Sequence, residues 1–477
     1  MTAQDIAGWD ADLRALTDGL GSMFNRPEPK VTFGLMVRAL LADVPKKNSW
    51  GLAEHAGLAT PRPFEHLLDG AVWDVDVLRD RVREYVVAGL GSVDAVVIAD
   101  DTQTIKKGDR SVGVAPRHCG LTNQTENCQV MPMLTYATEA GHAFVDRELY
   151  LPRSWTSDPA RCRAAGVPVD RGFETKPRLV GKMLARLVAA GVPFGWFAAD
   201  SGYGRDPGLR LFCHDGGIAY AMAVPVDLPL VGARWEALSC KDVLRSGVHR
   251  WERRTAGEGG KGARLYDWSM HAVTVKEQPP TEGFGHTLLI RRSKEMRKHK
   301  DRPSSYDIEF FLVHAPVATT LAAMVRAAGL RWKIEEDNKI GKDQLGMDAY
   351  QVRKWTPWYR HVTMCMLAQA FLTVTYAGPG KRSDAPRERG GPLRLILLPL
   401  STAAIRGLLA ATVLVRVADT VAAIARALWR QVHLSRALIS HYRRRGDPLP
   451  LNLGRSYRTA SYATLTTRGT PREDDLW

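Results

Sequence analysis

Three acidic residues stand where folding could bring them together. Asp101 closely follows the apolar, β-branched run at 94–99, and Asp200 directly follows a second apolar run at 194–199. Glu335 lies much later, in a segment with helical spacing. Carboxylates at the carboxyl ends of strands are exposed at a sheet edge, where active sites form in α/β folds. We therefore treat these three acids as candidate ligands of one site.

The chemistry of such a site follows from its donors. Oxygen ligands without His or Cys suit Mg²⁺ or Mn²⁺. Two such ions a few ångström apart can activate a water or a 3′-OH and stabilise the departing oxygen of a phosphodiester. The six cysteines include no CxxC pair, so the sequence predicts neither a zinc ribbon nor a disulfide framework. We expect a reduced, cytoplasmic protein.

The segment around Glu335 can be tested by helical geometry. At about 100° per residue, Arg331, Glu335, Asn338 and Lys342 fall within roughly 60° of one another, whereas Glu336 points about 100° away from Glu335. This periodicity favours Glu335 as the ligand, with Arg331 and Lys342 directed at phosphates. The alternative is a solvated charged helix held by pairs four residues apart.

The adjacent acids Asp100 and Asp101 are harder to separate. Successive strand residues face opposite ways, so only one of the two is expected to point at the site. Strand alternation alone does not say which.

Composition and charge indicate the class of partner. The chain has 66 Lys and Arg against 51 Asp and Glu, a net charge of +15, which favours a polyanion such as nucleic acid. The alternative is a basic surface kept for solubility. The N-terminus lacks the features of a signal peptide, and charged residues and a proline interrupt the most apolar stretch, at 393–415. We therefore expect core helices there and no membrane partner.

The pattern along the chain predicts an α/β fold with several parts. A turn at Gly57 within the N-terminal helices matches the layout of a helix-turn-helix, although an ordinary helical bundle is equally compatible. The predicted parts are a helical, DNA-binding region at 1–90, a mixed sheet with helices at 91–204, a β-rich insertion at 205–315, helices carrying Glu335 at 316–377, a linker at 378–392, and a helical region with a basic tail at 393–477.

Three stretches resemble a known family. VVIADDTQTIKKG, followed by SVGVAPRHCGLTNQTENCQV, is similar to the first-aspartate region of bacterial insertion-sequence transposases of the DDE superfamily. FAADSGYG resembles the second-aspartate motif of that superfamily, and LRWKIEEDNKIGKDQLG resembles its glutamate helix. The insertion sequence 701 family is the nearest resemblance, and it covers about 30–445 of the chain.

The resemblance implies roles for particular residues. Asp101 would be the first metal ligand, Asp200 the second and Glu335 the third. Arg331 and Lys342 fall on the basic positions of the family signature.

The resemblance also implies an RNase H-like mixed sheet flanked by helices, with a β-rich insertion between the second aspartate and the glutamate. Ala328 stands where the wider signature has a tyrosine, so a hydroxyl contact to phosphate is not expected there.

The implied activity is metal-dependent cleavage at the ends of an insertion sequence, followed by attack of the freed 3′-OH on target DNA. The implied cofactor is Mg²⁺ or Mn²⁺, as two ions. The implied partners are double-stranded DNA, as terminal inverted repeats and as target, and a second copy of the chain on paired ends. The alternatives are a related nuclease without strand transfer and a non-catalytic DNA-binding relative.

Several cations and aromatic residues are further candidates for DNA contact. Cations neutralise phosphates, and aromatic rings can stack on exposed bases. For the aromatic residues, packing in the core is the alternative. The candidates are Lys106, Lys107, Arg353, Lys354, Trp355 and Arg360.

Overall fold

The structure is a computed structural model. It describes residues 2–120, 122–232, 236–259, 262–278, 281–297, 304–378, 401–415 and 420–445. The linker predicted at 378–392 lies, beyond Gly378, outside these ranges, as does the part of the predicted tail after residue 445. The chain divides into two compact units, one of residues 1–56 and 61–415 and one of residues 57–60 and 416–477.

The N-terminal region of the first unit is helical. Side chains cap several of these helices: Thr2 and Asp5 form a capping box, and Asn48 and Asp74 each accept a backbone N–H at the start of a helix. The helices are α1 (Ala3–Gly19), α2 (Pro27–Leu41), α3 (Ser49–His55), α4 (Arg62–Glu65) and α5 (Val75–Leu90).

The segment with the predicted helix-turn-helix has a short second helix. Gly57, with φ at +77°, follows α3 in the chain and precedes α4. Helix α4 has only 4 residues and continues into a π turn at His66–Gly70. The DNA-binding role of this segment stays a prediction.

A large mixed sheet forms the centre of the fold, as expected for an RNase H-like protein. In the described part of the chain it has ten strands, in the order β2-β3-β1-β5-β6-β12-β11-β10-β9, with β4 beside β3. Strands β1, β5 and β6 run parallel, and the remaining neighbours pair antiparallel. The strands before the insertion are β1 (Val96–Ile105), β2 (Ala115–Cys119), β3 (Gln124–Ala137), β4 (His142–Arg147) and β5 (Trp196–Ala199).

The β-rich segment that follows continues this sheet. Strand β12 pairs antiparallel with β6, and β11, β10 and β9 extend the sheet outward. The strands are β6 (Tyr220–Val224), β7 (Pro229–Val231), β8 (Ala237–Ser239), β9 (Glu252–Gly259), β10 (Gly262–Val273), β11 (Phe284–Ser293) and β12 (Ile308–Pro316). Strands β7 and β8 form a separate small hairpin.

Helices cover the sheet and join its strands. They are α6 (Arg153–Thr156), α7 (Pro159–Ala164), α8 (Lys176–Ala189), α9 (Ser201–Gly204), α10 (Pro207–Asp215), α11 (Cys240–Arg245), α12 (Leu321–Leu330), α13 (Lys333–Lys339) and α14 (Trp355–Ala377). A π turn at Ile340–Gln344 continues α13. Helix α14 is buried along most of its length and packs against α2, α5 and β4, so it joins the helical region to the sheet.

In the described ranges after residue 400 there are two helices. Helix α15 (Thr402–Thr412) packs against α14 in the first unit. The second unit contains α16 (Thr420–Arg445), which ends in the basic residues Arg443 and Arg444 and Arg445. None of the described helices combines the length and the apolar character that a membrane span needs.

Candidate active site

Two aspartates occupy equivalent positions on neighbouring strands. Ala99 of β1 pairs in parallel with Ala199 of β5, and the next residues are Asp100 and Asp200. Asp200 leaves the strand and caps α9, because one of its carboxylate oxygens accepts the backbone N–H of Gly202 at 2.9 Å and that of Tyr203 at 3.1 Å. The two N–H donors hold the Asp200 carboxylate at the carboxyl edge of the sheet.

Glu335 lies on α13, within reach of the charge of Asp200. Its Oε1 is 3.7 Å from Nη1 of Arg331, at the junction between α12 and α13. Burial raises the pKa of Glu335, and the negative charge of Asp200 acts in the same direction while Arg331 opposes it. The charges of Arg331 and Asp200 therefore both act on the Glu335 carboxylate. That the three residues belong to one site stays a prediction.

Asp100 belongs to the same neighbourhood. Burial raises the pKa of Asp100 to about 7, and the charges of Asp200 and Asp101 add to this effect. Arg331 and the Asp101 backbone N–H, which donates to Asp100 at 2.7 Å, act in the opposite direction. A cation bound nearby would stabilise the charged form of the Asp100 carboxyl group.

The two faces of the sheet separate Asp100 from Asp101. Thr135 of β3 lies opposite Ile98 of β1, and its hydroxyl donates to Asp337 of α13 at 2.8 Å. Residues directly opposite each other share a face, and side chains alternate along a strand. Ile98 and Asp100 therefore face the side of α13, and Asp101 faces the other side.

On that other side, both carboxylate oxygens of Asp101 have partners. Lys176, the first residue of α8, forms an ion pair with Oδ2. The hydroxyl of Tyr203 donates to Oδ1. The sequence reasoning missed both residues, although Lys176 follows the helix-capping Thr175 and Tyr203 lies within the FAADSGYG motif.

Lys342 is held against the first strand. Its Nζ donates to the backbone oxygen of Gln103 in β1 at 2.8 Å, and burial lowers its pKa. Lys342 thus ties the π turn after α13 to β1. Its predicted contact with phosphate remains a prediction.

The residues predicted to contact DNA differ in their exposure to solvent. Lys107 and Arg353 are exposed. Lys354 is also exposed, and its Nζ lies 2.8 Å from the Asp69 carboxylate. Trp355 is half-buried, with its ring 4.8 Å from that of Tyr359, so packing accounts for part of its surface.

Two of the candidate cations have their side chains occupied by protein groups. Lys106 donates to the carbonyl of Tyr350 at 2.9 Å and stands over the ring of that tyrosine. Arg360 is buried and donates to three backbone carbonyls, those of Leu67, Leu68 and Trp73. A phosphate could reach either cation only after these contacts had opened.

The acids match a divalent cation in donor type. Asp100, Asp200 and Glu335 offer carboxylate oxygens, which suit Mg²⁺ or Mn²⁺. Across the described ranges, no three His, Cys, Asp or Glu side chains are grouped closely enough to hold an ion. Binding a cation would therefore require these side chains to converge further.

A mixed sheet of this topology, with aspartates directly after the parallel pairing of β1 and β5 and a helix carrying a glutamate beside it, defines an RNase H-like nuclease fold. Residues 20–275 match the family described as "DDE superfamily endonuclease". The match covers more than half of the chain, and the chain belongs to this family. The matched range includes Asp100, Asp101 and Asp200, and it ends before Glu335.

A curated relative is consistent with the resemblance. The chain is 27% identical over 166 residues to the "Probable transposase for insertion sequence element IS701" of Microchaete diplosiphon. This stretch covers 35% of the chain and 40% of the relative. The family match confirms the predicted DDE superfamily. The part of the chain matched to this relative spans less than half of the relative's length.

Proposed function

We propose that this chain is a DNA transposase that cleaves DNA at the ends of an insertion sequence and joins the freed 3′-OH to target DNA. The observation that carries this proposal is the position of Asp100 and Asp200 directly after the last paired residues of the parallel strands β1 and β5, with Glu335 close enough to Asp200 for their charges to interact. The curated relative supports it, because its name describes a transposase.

The proposed metal site has three parts. Asp200 and Glu335 supply two ligands, and the pair Asp100 and Asp101 supplies the third. The family pattern implies Asp101 for that third position. When bound, two Mg²⁺ or Mn²⁺ ions would supply activation of the attacking oxygen and stabilisation of the departing one.

The protein groups around the acids would orient the DNA backbone. Arg331 lies between the carboxylates of Glu335 and Glu309, at 3.7 Å and 3.9 Å. A guanidinium in this position can neutralise a phosphate that would otherwise be repelled by the acids. Lys342 would place a second positive charge on the same side of α13.

The proposed substrates are double-stranded DNA with terminal inverted repeats and target DNA. The net charge of +15 suits both. A pair of chains on paired ends would place two such sites on one target. We propose that the protein acts in the cytoplasm, at the nucleoid.

A strand-transfer assay tests the function. The full chain is incubated with a pre-nicked donor end, target DNA and Mg²⁺ or Mn²⁺, and joined product is expected. Cleavage without joined product would contradict the transposase and support the related nuclease. DNA binding without cleavage would support the non-catalytic relative.

A further inference from the structure

We propose that Asp100, rather than Asp101, is the first-strand metal ligand, and that Asp101 is a positioning residue held by Lys176 and Tyr203. This proposal deepens the proposed function and rests on it. Three structural observations carry it: the face of the sheet, the strand register and the existing partners of each acid.

The face of the sheet is supported at a second place along β1. Thr104 lies opposite Gln129 of β3, and the hydroxyl of Tyr350 donates to Gln129 at 2.8 Å. Tyr350 follows the π turn that continues α13, on the same side of the sheet as Asp337. Thr104 and Ile98 therefore share a face, and strand alternation puts Asp100 on that face between them.

The strand register places Asp100 beside the second acid. Asp100 and Asp200 each follow directly after Ala99 and Ala199, the last residues paired between the parallel strands β1 and β5. Glu335 belongs to α13, which packs against β1 and β3 on the face of the sheet that carries Asp100. Of the two acids of β1, Asp100 is therefore the one that lies on the face of the sheet covered by α13, at the same position along its strand as Asp200.

The existing partners differ between the two neighbours. Asp101 already has an ion pair with Lys176 and a hydrogen bond from Tyr203, one at each carboxylate oxygen. A metal ion at Asp101 would have to displace a cation that the fold provides. Within the described residues, Asp100 has no ion pair with a basic side chain, and one of its oxygens accepts the Asp101 backbone N–H.

Asp101 lies where it can support the segment that carries the second acid, Asp200. It contacts the first residue of α8 through Lys176 and the short helix α9 through Tyr203. Helix α9 is the one that Asp200 caps. Asp101 therefore fixes the backbone that carries the second acid, and its loss should disturb catalysis without removing a ligand.

The test compares Asp100→Asn and Asp101→Asn in the full chain. Calorimetric titration with Mn²⁺ alone measures metal affinity, and cleavage of double-stranded DNA is followed across Mn²⁺ concentrations. We expect Asp100→Asn to weaken Mn²⁺ binding by at least about tenfold and to abolish cleavage. Asp101→Asn should keep the Mn²⁺ affinity within a few-fold, while lowering the cleavage rate at saturating Mn²⁺.

Lys176 and Lys182 provide the matched comparison on α8. If Asp101 acts through Lys176, then Lys176→Met should lower the saturating rate, and adding Asp101→Asn should lower it little further. Lys182→Met removes a lysine of similar exposure that pairs with Glu174 instead, and should leave cleavage unchanged.

A second variant guards against misfolding of Asp100→Asn. A thiol favours softer metals than a carboxylate, so Asp100→Cys should cleave with Mn²⁺ much better than with Mg²⁺. Equal activity of Asp100→Cys with both metals, at the wild-type level, would overturn the proposal. It would also be overturned if Asp101→Asn lost Mn²⁺ binding while Asp100→Asn kept it. If the wild type neither bound Mn²⁺ nor cleaved DNA, the proposed function itself would fail.

Discussion

Glu335 and Glu336 are adjacent on α13, but their side chains contact different parts of the molecule. Oε1 of Glu335 lies 3.7 Å from Nη1 of Arg331, and the negative charge of Asp200 also acts on Glu335. Glu336 lies 3.2 Å from Nε2 of His142 and 2.9 Å from Nζ of Lys333. Successive helical residues point about 100° apart, so Glu336 points away from the side on which Asp200 acts on Glu335.

This relationship predicts a large difference between two matched variants. Glu335→Gln should lower metal-dependent cleavage of double-stranded DNA by at least about 100-fold, because a ligand is lost. Glu336→Gln should have a far smaller effect on cleavage. A gel-shift assay should show that both variants still bind DNA. Full cleavage activity in Glu335→Gln would contradict the assignment of the site.

The second prediction concerns the pH dependence of stability. Burial lowers the pKa of His142, but the carboxylates of Asp337 and Glu336 outweigh it and raise the pKa from 6.5 to about 9. The stabilisation from protonated His142 is therefore fully present below about pH 6.5 and is lost as the pH rises through about 9.

Comparison with His142→Gln isolates this contribution. The wild type should be more stable than the variant at about pH 6, by an amount on the order of 2 kcal/mol, and this difference should shrink by about pH 10. Urea unfolding across this range measures it. A difference that stayed constant with pH would contradict the charged state of His142.

The third prediction separates a buried arginine from an exposed one. Arg360→Ala should destabilise the fold by about 2–4 kcal/mol, because the carbonyls of Leu67, Leu68 and Trp73 lose a charged donor. Arg353→Ala should change the free energy of unfolding by less than about 0.5 kcal/mol. Urea unfolding measures both.

DNA binding then distinguishes the two arginines in another way. If Arg353 contacts a phosphate, Arg353→Ala should reduce the salt dependence of DNA affinity by about one unit of slope. Fluorescence anisotropy with labelled DNA at several salt concentrations measures this slope. An unchanged slope would remove Arg353 from the proposed DNA-binding surface.

Local patterns were sufficient to predict which residues share one face of a helix and where the strands lie. The face of α13 follows from helical periodicity, so Glu335 could be separated from Glu336 and grouped with Arg331. The apolar runs before the aspartates predicted strands, and β1 and β5 are present. The β-rich composition after Asp200 likewise predicted strands, because their residue preferences are local.

Only the tertiary structure decided the relationships between elements. Strand alternation says that Asp100 and Asp101 face opposite ways, but which of them faces α13 depends on the pairing of β1 with β3 and on the face to which α13 packs. The partners of Asp101, Lys176 and Tyr203, come from two helices distant in sequence. The pairing of β12 with β6, which makes the insertion part of the central sheet, is likewise non-local.

The same limit applies to the candidate cations. The sequence determined that Arg360 and Arg353 are basic and near aromatic residues, and that the chain as a whole favours a polyanion. Packing of α14 against the N-terminal helices buried Arg360 and left Arg353 exposed. Residue types and their local periodicity follow from the sequence alone. The burial of a side chain and the sheet face on which it lies depend on contacts between segments that are distant in sequence.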